Sequence, residues 1–111
     1  MIWHLFLDDE RTPYPNALYN RQRYTIARSS REALQLVLDN GMPLSMQLDH
    51  DLGMHAGAPD TTMDFLKGLS ELLSSGEISF PKGFTYNIHS QNPVGVQNIA
   101  GYMQNLLRHF S

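Results

Sequence analysis

Residues 2–9 read IWHLFLDD, and this stretch decides the fold. Residues 2–7 are apolar except for His4, and the run ends abruptly at the acidic residues Asp8 and Asp9. A short run that is apolar on both faces is typical of a buried strand in a parallel sheet. We therefore predict a first strand at residues 2–7, with two carboxylates at its carboxyl end.

Three more short apolar runs predict three more strands. They cover residues 24–27, 44–48 and 84–88. Residues 12–22 contain prolines and asparagines, which predict a loop or a broken helix, and residues 52–59 contain two glycines and a proline, which predict a loop.

Helical spacing of apolar residues predicts a helix after each of the later strands. Ser29 and Glu32 have the spacing of a capping box, and Asn92 precedes Pro93, a residue favoured in the first turn. Asp60 is expected to cap the helix between these two. The expected stops of the first two helices are Gly41 and Gly76. Strands that alternate with helices predict an α/β domain with a mostly parallel sheet and right-handed crossovers.

The bulk composition fits one domain over residues 1–111. The hydrophobic fraction is 41%, enough for a core, and the formal net charge of -3 argues against an extended nucleic-acid surface or an anionic membrane as partner. The chain has no cysteine, which excludes thiolate metal sites and a cysteine nucleophile. No apolar run is long enough to span a membrane and no signal peptide is recognisable, so we expect a cytoplasmic protein. Nothing in the composition predicts an oligomeric state.

Polar clusters follow three of the predicted strands. Because the carboxyl ends of parallel strands share one edge of the sheet, where ligands bind, these clusters should converge. Carboxylates that lie side by side repel one another unless a cation offsets their charge. The acidic members are therefore expected to hold Mg²⁺ or Mn²⁺, and they are Asp8, Asp9, Asp49 and Asp51.

The remaining polar residues of the clusters are candidates for proton transfer and phosphate binding. Imidazoles titrate near neutral pH, so His50 and His89 are predicted to act with Asp49 in catalysis. The predicted phosphate ligands, which include a hydroxyl, an amide and a guanidinium, are Ser90, Asn92 and Arg11.

Structural roles remain open for the same residues. His50 could orient a carboxylate, Asn92 could serve only as a helix cap, and Arg11 could pair with a neighbouring acid at the surface. His55, in the glycine-containing segment, is a weaker candidate for covering a ligand.

Three motifs in this order resemble the cyclic-phosphate-processing receiver-like domains. They are residues 7–13 (LDDERTP), 48–53 (LDHDLG) and 89–95 (HSQNPVG). The resemblance implies a small three-layer, flavodoxin-like domain. The strand pattern predicts about four parallel strands with flanking helices, and a fifth strand is lacking. The resemblance also implies action on cyclic phosphates, either in small nucleotides or at RNA ends.

The related receiver domains of two-component signalling suggest a role for individual residues. In them an acidic pair binds magnesium, which would fall on Asp8 and Asp9. A third-strand aspartate accepts a phosphoryl group and a serine contacts it, which would fall on Asp49 and Ser90. Receivers also place a lysine after a fifth strand, and this chain has no room for that strand after its last helix.

The leading hypothesis is therefore a metal-dependent phosphodiesterase-like enzyme that opens a cyclic phosphate. One alternative is a non-catalytic receiver-like module that binds a phosphorylated ligand or accepts a phosphoryl group at Asp49. Another is a protein that sequesters a nucleotide.

Overall fold

A computed structural model describes residues 2–12 and 24–111. These residues form six strands and three helices. They are β1 (His4–Leu7), β2 (Tyr24–Ala27), α1 (Ser30–Asn40), β3 (Ser45–Leu48), β4 (Asp51–His55), β5 (Ala58–Thr61), α2 (Thr62–Ser74), β6 (Thr85–Ile88) and α3 (Pro93–Phe110). Within the described ranges, no helix combines the length and the apolar character needed to cross a bilayer.

Four strands form a parallel sheet in the order β2-β1-β3-β6. At the carboxyl ends Leu7 pairs in register with Ala27 and Leu48, and Leu48 pairs with Ile88. The strands therefore end at one level, and the residues that follow them lie along one edge. This confirms the predicted α/β receiver-like fold. In the described part of the chain the parallel sheet has four strands, with β2 and β6 at its edges.

The two faces of the sheet differ in character. On one face Leu5, Leu7, Met46 and Leu48 pack with buried residues of all three helices in a single core. Burial of this apolar surface is the main favourable contribution to folding. On the opposite face the side chains alternate with these, and the two that β6 contributes, Thr85 and Asn87, are polar and exposed.

The helix ends confirm two predicted caps. Ser29 Oγ accepts a hydrogen bond from the Glu32 N–H at 3.1 Å, and Asn92 Oδ1 accepts one from the Gly95 N–H at 3.0 Å. These bonds satisfy amides that have no partner within the helix. The caps set where α1 and α3 begin, and α3 begins directly above the polar edge of the sheet.

The predicted loop at 52–59 is wrong, because β4 and β5 form an antiparallel hairpin there. Its two-residue turn, Ala56-Gly57, has φ values of 51° and 80°, as a type I′ turn requires. A bulge interrupts the register between Asp51 and Met54. This irregularity, together with Gly53 and Pro59, hides the alternation that would have indicated a strand.

The expected cap at Asp60 is also wrong. Asp60 is buried and accepts hydrogen bonds from the Ser30 N–H, at 2.9 Å, and from the Ser30 hydroxyl. It therefore ties the hairpin to the start of α1, while Thr61 is the cap of α2. The prediction for residues 12–22 lies, apart from Thr12, outside the described residues.

Candidate functional site

An open cleft of about 510 Å³ lies at the carboxyl edge of the parallel sheet. Its lining comes from all three polar clusters, so the expected convergence is observed. The lining residues are Asp9, Glu10, Arg11, Asp49, Asp51, Gly53, Ser90, Gln91 and Asn92.

Asp8 lies just beneath this lining and is almost fully buried, with 1% of its surface exposed. Its Oδ1 accepts hydrogen bonds from the backbone N–H groups of Glu10 and Arg11, each at 2.9 Å, and its Oδ2 lies 2.9 Å from His89 Nε2. Burial alone raises the pKa of Asp8, but the bonds from Arg11, Glu10 and His89 together hold it below its usual range. Asp8 is therefore ionised at neutral pH, and its orientation is set by three donors.

His89 lies behind Asp8 and is not part of the cleft lining. Its ring stacks on Phe6, with centroids 4.9 Å apart and planes 17° from parallel. With Nε2 directed at Asp8, Nδ1 is buried and has no hydrogen-bond partner among the described residues. Any effect of His89 on a ligand in the cleft therefore passes through the Asp8 carboxylate.

Three carboxylates converge at the base of the cleft. Asp8, Asp9 and Asp49 each offer an oxygen, and these oxygens all lie within 4.8 Å of one another. Two oxygens at opposite positions around Mg²⁺ lie about 4.2 Å apart, so the separations fit one ion after a small closure. Asp51, the predicted fourth ligand, lines the cleft but is not in this group.

The environment of Asp49 favours a nearby cation. Burial raises the pKa of Asp49, and the negative charge of Asp8 raises it further, against a bond from the His50 N–H. Thr62 donates its hydroxyl to the Asp49 backbone oxygen, and its N–H donates to the His50 oxygen at 2.9 Å. These contacts join the end of β3 to the start of α2 and hold the carboxylate at the cleft.

Hydrogen-bond donors lie on the opposite wall, in the turn from β6 to α3. Ser90 Oγ accepts a bond from the Asn92 N–H at 3.1 Å, which leaves its own proton for another acceptor. Asn92 Oδ1 is occupied as the cap of α3, and its Nδ2 lies 3.4 Å from Asp51 Oδ2. Because Nδ2 carries two protons, one donor remains for a ligand. Arg11 is exposed in the cleft, with Nη1 3.3 Å from the His89 oxygen.

The start of α3 offers fewer free amides than the sequence led us to expect. The N–H groups of Asn92 and Gly95 are bonded to Ser90 and Asn92 side chains, and Pro93 has none. Within the described chain, only the Val94 N–H of these first residues has no protein acceptor. A phosphate in the cleft would therefore depend mainly on side chains.

His50, like His89, lies outside the cleft lining. Its side chain is 13% exposed, and its Nδ1 lies 3.0 Å from Asp51 Oδ1. The ring packs against Gly95 in the first turn of α3. This placement agrees with the role of orienting a carboxylate, and direct proton transfer by either histidine stays a prediction.

Several residues of the site were not anticipated. Arg28, directly after β2, donates from Nη1 to the Asp8 backbone oxygen at 3.1 Å and to the Arg11 oxygen. The rule that residues after parallel strands converge would have identified it, because β2 ends at the same edge. Glu10 and Gly53 also line the cleft, together with Gln91, which belongs to the polar cluster expected after the last strand. His55 contacts Arg31 instead of the cleft.

Comparison with known protein families gives a match over most of the chain. The family model described as "Cyclic-phosphate processing Receiver domain" matches residues 3–105, a range that includes the whole cleft lining. No curated protein and no solved structure matches the chain.

Proposed function

The chain belongs to the cyclic-phosphate-processing receiver domain family, and we propose that it is a metal-dependent phosphoesterase that opens cyclic phosphates. The observation that supports this most is that a cluster of carboxylates and a set of hydrogen-bond donors line the same cleft. The proposed substrates are small nucleotides with a 2′,3′-cyclic phosphate and RNA ends that carry the same group.

The proposed ligands of one Mg²⁺ or Mn²⁺ ion are Asp8, Asp9 and Asp49. Their oxygen separations fit such an ion, and the bonds that already orient Asp8 are typical of the second shell around a metal ligand. A bound divalent ion would polarise a phosphoryl oxygen and offset its charge.

The charges of the cleft lining support a requirement for a metal ion in phosphate binding. The lining contains four carboxylates and one guanidinium, so a phosphate that entered alone would be repelled. Arg11 provides one positive charge for the anion, and the ion would provide the rest. Binding of a nucleotide without metal, as the sequestering alternative requires, is less favourable for the same reason.

Opening the ring consumes one water molecule. The water oxygen bonds to phosphorus, one ring P–O bond breaks, and the released oxygen takes a proton, which leaves a phosphate monoester. We propose that Arg11, Ser90 and Asn92 hold the phosphate oxygens during this step. Proton transfer by His50 and His89 would pass through Asp51 and Asp8, the carboxylates that they contact.

The direct test is turnover of a panel of 2′,3′-cyclic nucleotides, cyclic-ended RNA and cyclic dinucleotides with Mg²⁺ or Mn²⁺, followed by ³¹P NMR. Wild type should convert at least one member to a monoester. Asp49→Asn should lose about 100-fold or more, because several kcal/mol of charge stabilisation depend on the metal. Glu71→Gln, at an exposed position on α2, is the matched control and should turn over like wild type. Absence of turnover with every panel member would reject the enzyme proposal.

A phosphoryl acceptor is the second candidate, because Asp49 and Ser90 line the cleft together at the ends of β3 and β6. The receiver lysine has no equivalent here among the described residues, since Lys67 and Lys82 are exposed and outside the lining. If this candidate is correct, a small acyl phosphate should add one phosphoryl group to wild type and none to Asp49→Asn, as measured by mass spectrometry.

A further inference from the structure

Four residues form a closed ring of contacts between the two sides of the cleft. His50 Nδ1 lies 3.0 Å from Asp51 Oδ1, and Asn92 Nδ2 lies 3.4 Å from Asp51 Oδ2. Asn92 Oδ1 accepts the Gly95 N–H at 3.0 Å, and Gly95 packs against the His50 ring. We call these four residues the clamp. It joins the segment after β3 to the first turn of α3.

Gly95 is the residue that makes the clamp compact. A Cβ at this position would lie 2.5 Å from His50 Cγ and 2.9 Å from His50 Cβ, so no larger residue fits unless the whole His50 side chain, its Cβ included, moves. Gly101, in the same helix, has no atom within 4 Å of a Cβ built there. Glycine weakens a helix relative to alanine, and of the two glycines of α3 only Gly95 is required by the local packing.

We propose that the clamp is a positioning device that sets the separation between two walls of the cleft. The carboxylate wall is Asp8, Asp9 and Asp49, and the donor wall is residues 90–92. A metal ion bound alone would contact only the first wall, whereas a phosphate bound together with the metal would contact both. The clamp should therefore control the affinity for phosphate in the presence of metal and leave the affinity for metal unchanged. This inference rests on the proposed function and assigns control of the cleft's geometry to the clamp, none of whose residues is among the metal ligands proposed above.

The clamp should affect phosphate affinity because a ligand held by several groups at once binds much more weakly when one of those groups moves. Hydrogen-bond donors that shift by a fraction of an ångström no longer match oxygens that a metal already holds. The clamp has two polar contacts, one capping bond and one packing contact, so its loss would free the donor wall without removing any ligand of the metal.

The test compares wild type, Gly95→Ala, the double variant Gly95→Ala with His50→Ala, and Gly101→Ala as the matched control. Calorimetry gives the Kd for Mn²⁺, then the Kd for inorganic phosphate at saturating Mn²⁺, and urea denaturation gives folding stability. Gly95→Ala should bind Mn²⁺ like wild type and bind phosphate about tenfold more weakly. Gly101→Ala should bind both like wild type.

The double variant separates positioning from simple destabilisation. Removing the ring takes away the two shortest contacts and leaves only His50 Cβ, at 2.9 Å, so stability should recover in large part. Phosphate affinity should stay low, because the clamp is still broken. Recovery of both, or wild-type phosphate affinity in Gly95→Ala, would overturn the inference. If Gly95→Ala does not fold, His50→Ala alone opens the clamp without a clash and should show the same weakened phosphate binding. If wild type itself binds phosphate equally with and without Mn²⁺, the proposed function fails as well.

Discussion

Two histidine–carboxylate pairs flank the cleft, and they are buried in opposite ways. In Asp8–His89 the carboxylate is 1% exposed and the imidazole 24%, whereas in Asp51–His50 the carboxylate is 66% exposed and the imidazole 13%. The contact distances are almost equal, 2.9 Å and 3.0 Å. Both pairs therefore join an imidazole to a carboxylate, and they differ in which of the two side chains is buried.

This difference teaches that burial decides what each pair contributes. A buried carboxylate that loses its donors pays a desolvation cost, so Asp8–His89 should matter for both stability and metal binding. An exposed carboxylate is hydrated and screened, so Asp51–His50 should contribute little to stability. The His50 ring, which packs on Gly95, contributes instead by fixing the position of the segment after β3 relative to α3.

Breaking the buried pair at its carboxylate should have the largest effect. Asp8→Asn keeps an oxygen for the two backbone donors but presents an amide to His89 and removes a charge from the metal cluster. We expect a loss of about 2 kcal/mol in the free energy of unfolding and no measurable Mg²⁺ binding, by urea denaturation and calorimetry. Wild-type values for both would show that Asp8 is neither buried nor needed as described.

Removing the histidine of the buried pair should have the next largest effect. His89→Ala loses the bond to Asp8 and the stacking on Phe6, so metal affinity should fall by about 10-fold to 100-fold. His109→Ala, near the exposed end of α3, is the control and should bind metal like wild type. Equal metal affinity in the two variants would argue that His89 has no part in orienting Asp8.

The buried pair should also produce a defined pH dependence. Because the folded-state pKa of Asp8 is below its ordinary value of 3.8, its contribution to stability is present above 3.8 and is lost as pH falls through the folded value. The gap in stability between wild type and Asp8→Asn should be full at neutral pH and narrow in strong acid.

The folded-state pKa of Asp49 is raised, so metal-free Asp49→Asn should be more stable than wild type at neutral pH. Urea denaturation across the acid range measures both the predicted loss of stability in Asp8→Asn and the predicted gain in Asp49→Asn.

Breaking the exposed pair should have the smallest effect on folding. Asp51→Asn should change the free energy of unfolding by less than about 1 kcal/mol, and high salt should reduce that difference further, whereas the effect of Asp8→Asn should persist in salt. Denaturation at low and high salt measures this. An effect of Asp51→Asn as large as that of Asp8→Asn would remove the distinction between the pairs.

The sequence predicted the parts of the molecule that depend on local signals. Patterns within a few residues predicted the first strand, given as residues 2–7 and observed as His4–Leu7, and the caps at Ser29 and Asn92. The convergence of the acidic clusters followed from one topological rule, and the shared lining of the cleft confirms it.

Contacts between distant residues account for what the sequence did not predict. Asp60 bonds to Ser30, His50 packs on Gly95, and His89 bonds to Asp8, and no periodicity encodes these pairings. The hairpin turn at Ala56-Gly57 carried only half of the usual sequence signal, because Gly57 allows a positive φ whereas alanine is not favoured at the first turn position. The irregular spacing produced by the neighbouring bulge, together with a proline, favoured the prediction of a loop over that of a hairpin.

A crystal of the protein soaked with Mn²⁺ and inorganic phosphate tests the central claim most directly. We predict an anomalous peak for one Mn²⁺ ion among the carboxylates of Asp8, Asp9 and Asp49, and a phosphate between that ion and Ser90 with Arg11. Ordered phosphate at the same residues without Mn²⁺, or Mn²⁺ bound away from all three carboxylates, would contradict the account.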